Sequence, residues 1–420
     1  RPETLALAVR LTALAGPFIL LVSLATVLAG MLNVNGRFFL PALAPAVLNV
    51  AAIAGCVAGQ PLENWLGVDA VMAVAASYTI GGLAQFFVLY PAIRRHGFRL
   101  RPRLNLRHPG LVRIVLLMLP GLLGLAAIQL TNIIDMQVAS RFAPGVVSYV
   151  EYSFRLVLFP ISMAGMALAT ATLAKASLDV AARDPEALRT TVSRSVAMLF
   201  LVATPVGGLL LALAEPVTQA LFVGGEFNFD DAHETAVLLQ LYALGVAGFC
   251  YPRVAIPIFF ALGDSLRPML VALLTIGLKL GLVILLLTLT DLEVRGLVVA
   301  TSVAVSAEAI VIWWLLRRRI GRMAAGTTAS LVKIAAATML SAAAAAGALY
   351  LLPDSWDRPG KLLQLAKLVG GLTLGSGVYL GVCTALGVKE LRELLAKVRS
   401  KLRPPGPPPG RRPPPATGSD

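Results

Sequence analysis

The sequence predicts an all-α polytopic membrane protein with about eleven transmembrane helices. Three observations carry that reading. Of the 420 residues, 57% are hydrophobic and 14% charged, and the mean hydropathy is +0.80. A soluble domain cannot hide that much apolar surface. Apolar runs of about 20 residues recur between short polar breaks, which suits helices crossing a hydrocarbon layer about 30 Å thick; β-barrel spans would be shorter and would alternate. The breaks also alternate in charge, as membrane topology requires.

In chain order, the expected spans are 11–33, 38–59 and 68–92, which form a first group over 1–92. Residues 1–10 begin the first span or lie at the interface. The loop over 93–110 carries Arg94, Arg95, Arg99, Arg101, Arg103 and Arg107 and no acid. Spans 111–140 and 147–173 follow, joined by the turn Arg141-Phe-Ala-Pro-Gly145. With 193–214, 235–262, 269–290 and 296–316 they make a second group over 111–316. Two further spans, 331–352 and 362–386, occupy the region 317–386. The last region, 387–420, starts with the basic amphipathic segment Lys389–Arg399, expected on the inner membrane surface. It ends in a Pro-rich tail over 403–415, expected to be extended and disordered because Pro at that density excludes helix and ladder.

Charge sets the orientation. The loops containing Arg94–Arg107, Lys175–Arg189 and Arg317–Arg322 fall on one side, and positive charge marks that side as cytoplasmic. The opposite loops hold Glu63 and Asp69; Glu215, Glu226, Asp230, Asp231 and Glu234; Asp291 and Glu293; and Asp354 and Asp357. This places the amino terminus outside and the carboxyl terminus inside. An outside start without a signal pattern implies an odd number of spans ahead of Arg1.

The net charge of +14 lies in loops and tail, where anionic lipid headgroups use it, so nucleic acid is not an expected partner. Cys56, Cys250 and Cys383 fall inside spans, where small packing residues and no disulfide are expected. His96, His108 and His233 show no metal spacing. Without a GxxxxGK[ST] motif, a nucleophile triad or a carboxylate pair, neither an ATP-driven pump nor an enzyme is expected, and no cofactor. Pro17, Pro41, Pro45, Pro120, Pro160, Pro205, Pro252 and Pro257 fall inside spans, where each permits a kink.

The informative residues are ions inside apolar helices. Each costs about 2.5–3.5 kcal/mol on insertion scales and is kept where it faces a cavity or a partner. Arg155 lies about 12 Å into its span, at 1.5 Å per residue, and suits bidentate phosphate contact. Arg253, between Pro252 and Pro257, reads either as a cavity cation on a broken helix or as a partner of Glu308. Lys279 is expected to reach and neutralise Asp135, and its flanking Gly277 and Gly281 to let another helix approach closely. The alternative is that each of the pair faces water separately. Gly371, Gly375, Gly377 and Gly381 on the last span read as helix-packing faces.

The stretch Leu32-Asn-Val-Asn-Gly-Arg-Phe-Phe-Leu-Pro-Ala-Leu-Ala-Pro-Ala-Val-Leu-Asn49, with Asn33, Arg37, Pro41, Pro45 and Asn49, resembles the hairpin between the fourth and fifth spans of the MurJ/MviN family. Asp135–Leu156 resembles that family's seventh and eighth spans, and Phe260–Pro268 its turn after the tenth. The resemblance implies lipid II flippases of the multidrug/oligosaccharidyl-lipid/polysaccharide exporter superfamily, a two-lobe bundle with fourteen spans. Here the amino-terminal lobe would lack three spans, and two additional helices would follow the second lobe.

By the same resemblance the substrate is an undecaprenyl-diphosphate-linked peptidoglycan precursor, moved from the inner to the outer leaflet by alternating access, in a bacterial inner membrane. Arg155 and Arg253 would line a central cationic cavity. Asp135, Lys279 and Glu308 would tune the conformational equilibrium. Phe154 stands where many members have Asp, and Lys279 lies in the span that contributes polar groups to a sodium site in some members, so a tethered cation would replace sodium. Two other functions are compatible with these residues: an exporter of other lipid-linked oligosaccharides or drugs, and a non-transporting membrane scaffold that recruits partners through its basic loops and Pro-rich tail.

Overall fold

The computed structural model describes residues 2–67, 69–95, 129, 131–350 and 360–402, and the structural statements below concern these residues. They are almost wholly helical; among them the one pairing of extended backbone is an isolated bridge between Gly224 and Phe227. The chain divides into two compact units, Arg1–Val112 and Arg113–Asp420.

The first unit contains α1 (Pro2–Ala15), α2 (Pro17–Val34), α3 (Phe39–Leu66) and α4 (Ala70–Arg95). Helices α1 and α2 make one apolar stretch of 30 residues, Leu5–Val34. Pro17 lies inside this stretch, in the first turn of α2, where its missing N–H leaves no bond unmade. Pro45 lies within α3. The α2–α3 turn uses Gly36 at φ 73°, and the Arg37 N–H donates to Leu32 O at 2.9 Å. Asn33 ends α2, Pro41 opens α3 and Asn49 follows two turns on; Asn33, Arg37, Pro45 and Asn49 are exposed. These residues build the hairpin. A cluster including Leu28, Leu32, Leu89 and Ile93 forms the local core.

The second unit begins with a helical segment over 131–139. It continues through α5 (Val146–Ala181), α6 (Pro185–Ala212), α7 (Ala214–Phe222), α8 (Phe229–Leu244) and α9 (Val246–Ala261). Then come α10 (Leu266–Leu289), α11 (Glu293–Ile320), α12 (Thr327–Tyr350), α13 (Lys361–Ala385) and α14 (Lys389–Leu402). Helix starts follow side-chain chemistry. Asp184 accepts from the Glu186 and Ala187 N–H groups at the start of α6, and Asn228 with Asp231 forms a capping box at α8. Helix α5 packs on α6, α8 and α9; α11 packs on α9 and α10; α12 and α13 pack on each other and on α6. Val157, Leu199, Leu238, Leu239, Ile258 and Leu297 lie in the shared core.

Eight described helices are long and apolar enough to cross a membrane, nine if the bent pair α8–α9 is one span. Of the two remaining expected spans, 111–140 lies mainly outside the described residues, and 147–173 lies inside the 36-residue α5. The loop over 93–110 beyond Arg95, Pro120 and the Pro-rich tail also lie outside the described residues.

Several packing expectations are corrected. A Cβ placed on Gly277 or Gly281 would meet nothing within 4 Å among the described residues. Residues two positions from Lys279 point to the opposite face of the helix, so they cannot serve the contact Lys279 makes. On α13, Gly371 abuts Leu213 and Gly375 abuts Leu209 and Ala345, whereas Gly377 and Gly381 face open space. Cys250 and Cys383 are buried but Cys56 is exposed; all three are free. The amphipathic α14 also packs onto protein: Leu391 is buried against a cluster with Leu201 and Ile334, and Arg194 pairs with Glu393 at 2.5 Å.

Candidate functional site

The segment 131–139 and helices α5, α8, α9, α10 and α11 surround a cavity of about 1160 Å³. Its ionisable lining is Asp135, Glu151, Arg155, Arg253, Lys279 and Glu308. Asp135, Arg155, Arg253, Lys279 and Glu308, the ions singled out inside apolar helices, therefore meet in one place. Among the described residues the wall carries three cations and three carboxylates, not the cationic excess that the resemblance implies.

Arg155 occupies the third turn of α5. Its Nε donates to Glu151 Oε1 at 2.7 Å, and its side chain is 72% exposed. The guanidinium thus stands in the open cavity, not packed into the bundle.

Arg253 sits on α9, which runs unbroken through Pro252 and Pro257. The expected break is real but lies earlier, at Gly245, where α8 and α9 meet at 44°. Helix α11 comes close at this bend: a Cβ on Gly245 would be 3.1 Å from Ser302 Cβ. One turn later Gly248 faces bare backbone, 2.8 Å from Ser306 N and 2.9 Å from Val305 O for a hypothetical Cβ. The Arg253 stem rests on α5, and a Cβ on the buried Gly165 would lie 3.2 Å from Arg253 Cδ. Among the described residues no ion pair joins Arg253 to Glu308, although both line the same cavity.

Lys279 Nζ donates to Asp135 Oδ2 at 2.6 Å. The two side chains are 8% and 12% exposed. Asp135 Oδ1 has no hydrogen-bond partner among the described residues. In a buried pair so arranged each member offsets part of the other's desolvation cost. Thr275 and Thr301 line the wall nearby.

Three features escaped the sequence reading. Phe154, Tyr242 and Phe249 form an aromatic wall, with Phe154 centroids 5.4 Å from Tyr242 and 5.9 Å from Phe249. The i,i+4 spacing of Glu151 and Arg155 carries the signal for their pairing. Gly165 gives none, since its contact depends on how α5 lies on α9.

The α9–α10 turn uses Gly263 at φ 72°. Asp264 accepts from the Arg267 N–H and pairs with Arg267 and Arg319, each at 3.2 Å. Burial pushes the Asp264 carboxyl up, but these bonds and charges outweigh it and hold the carboxyl below its usual range.

The arrangement offers guanidinium donors in a large cavity within an apolar bundle, which suits an anionic group. Among the described residues no cluster of His, Cys, Asp and Glu is arranged to hold a metal.

Residues 1–369 match the family described as lipid II flippase MurJ. Over 274 residues the chain is 35% identical to the lipid II flippase MurJ of Burkholderia cenocepacia, covering 64% of this chain and 52% of the relative. It spans about half the length of the curated relatives it matches. In fold it is similar to a lipid II flippase MurJ in an inward closed conformation, with TM-score 0.75 and 21% identity over 94% of this chain and 76% of the other. It is also similar to a multidrug resistance MATE family transporter of the MOP superfamily in an inward-facing conformation, with TM-score 0.65 and 17% identity over 76% and 73%. The all-helical membrane fold is that of these transporters, and the chain belongs to the lipid II flippase MurJ family.

Proposed function

We propose that this protein moves a polyprenyl-diphosphate-linked peptidoglycan precursor, lipid II, from the inner to the outer leaflet of a bacterial inner membrane. The cavity would open alternately to the two sides of the membrane. Residues 1–92 would belong to one lobe, 111–316 to the other, with 317–386 as two additional spans and 387–420 as a cytoplasmic tail. No covalent bond would be made or broken, so the activity is transport and not catalysis. The basic loops would face the cytoplasm and its anionic lipids.

The observation that carries this reading is the placement of Arg155 and Arg253 on the wall of one cavity of about 1160 Å³. Pockets of roughly 300–1,000 Å³ accommodate drug-sized ligands, so a diphosphate with part of its sugar chain is within reach. Family membership supports the lipid-linked substrate.

The test is complementation in bacteria depleted of their own lipid II flippase, with precursor export measured directly. The protein should restore export. Arg155→Glu should insert normally and fail, while removal of residues 403–420 should leave export intact. Export supported equally by Arg155→Glu would remove Arg155 from the binding site, absence of export by the wild type would remove the transport reading, and loss on removing the tail would favour a scaffold.

A further inference from the structure

Among the described residues the cavity wall holds as many carboxylates as cations. Asp135 is spent on Lys279 at 2.6 Å. Glu151 holds Arg155 through a single bond from Nε at 2.7 Å, leaving the two Nη groups without a bond partner among the described residues. Both members of this second pair are exposed to the cavity, at 72% and 38%. Glu151 lies one helical turn from Arg155, so it cannot drift away from the arginine when a ligand arrives. Any anion approaching the free Nη face meets the Glu151 charge beside it.

We infer that Glu151 is a built-in counter-anion for the substrate-binding arginine, which weakens the hold on a diphosphate and so favours its release. This rests on the flippase reading above and adds a specificity residue to the same site. A diphosphate is recognised by planar, bidentate donors such as the Arg155 guanidinium. A transporter that must release its cargo on the far side gains nothing from a tight grip, because binding and release draw on the same contact. A carboxylate fixed next to the arginine sets that grip low without removing the recognition geometry. The Lys279–Asp135 pair cannot do this, since its charges are nearly buried and already joined.

The experiment measures binding of farnesyl diphosphate to the purified protein by calorimetry. Four proteins are compared: the wild type, Glu151→Gln, Arg155→Gln and the double variant. Glu151→Gln is isosteric and exposed, so folding should be unaffected, and thermal unfolding checks this. It should bind about two- to fivefold more tightly, the range that an exposed ion pair is worth. In the Arg155→Gln background the same change should bring no gain. Equal or weaker binding by Glu151→Gln would overturn the inference while leaving the flippase reading intact. So would a gain that persists without Arg155. Failure of every protein to bind the diphosphate would overturn both.

Discussion

Lys279 Nζ and Asp135 Oδ2 lie 144 positions apart in the chain and meet at 2.6 Å, with both side chains nearly buried. The pair joins the segment 131–139 to α10 through the cavity wall. Attraction and desolvation nearly cancel in such a pair, but an unpaired survivor is costly. Lys279→Met should therefore destabilise the protein by about 3–5 kcal/mol, and Lys279→Met with Asp135→Asn by much less. Thermal unfolding in detergent measures both. A double variant as unstable as the single would show that the contact is not the source of the cost.

The approach of α9 to α11 is a second point of sensitivity. A methyl on Gly248 would press on the Ser306 N and Val305 carbonyl of α11 at 2.8–2.9 Å. Backbone cannot rotate away as a side chain can. Gly248→Ala should cost about 1–3 kcal/mol, as overpacking does. Gly277→Ala, which meets nothing within 4 Å among the described residues, should be neutral or slightly stabilising by helix propensity. Comparing the two melting temperatures tests whether close approach, and not glycine itself, matters.

The ionisable residues of the site were legible in the sequence because each stands out against an apolar helix, and the physics of desolvation leaves few places for it. Opposite charges at Asp135 and Lys279 made their contact foreseeable. Other features depended on neighbours that no local pattern specifies. Gly277 and Gly281 looked like a packing face for Lys279, but a spacing of two turns them away from it. The bend was expected at Pro252 and Pro257, yet α9 absorbs both and bends at Gly245, where Ser302 of α11 comes close. The short α7 between α6 and α8 falls where the sequence reads as an acidic loop after the span 193–214, because 9 residues that include Glu215 and Pro216 are too few to show a helical period. Charge balance in the cavity could only be counted once Glu151 and Glu308 were seen on the same wall.

The Asp264 turn gives a pH dependence with a definite sign. Its bonds with Arg267 and Arg319 tie the α9–α10 turn to the end of α11. They hold the carboxyl below its ordinary value of 3.8 against the opposing effect of burial. A group whose pKa falls on folding contributes stability above its unfolded pKa and loses it as pH drops through the folded value. The stability difference between wild type and Asp264→Asn should therefore stay constant from about pH 7 to about pH 5 and shrink toward zero below the carboxylate range. Melting temperatures across that series read the difference. A gap that persists in strong acid would show that the side chain acts through packing and not through its charge.

Arg253 has no ion pair among the described residues, so its direction is set by what its stem rests on. That support is Gly165 of α5, where a Cβ would stand 3.2 Å from Arg253 Cδ. One methyl displaces a flexible stem by a few tenths of an ångström, and a branched side chain displaces it outright. Gly165→Ala should consequently keep most transport, whereas Gly165→Val should resemble Arg253→Gln. A charge-assisted hydrogen bond is worth about 1.5–3 kcal/mol, so each of the latter two should lose about tenfold or more in precursor export. Valine could also act by loosening the bundle, so unfolding temperature is measured beside transport. The decisive comparison is Gly165→Val added to Arg253→Gln. If the glycine works by aiming the arginine, the double variant exports no less than Arg253→Gln alone, because there is no longer a guanidinium to misdirect. A further loss in the double variant would mean that Gly165 serves the α5–α9 contact itself.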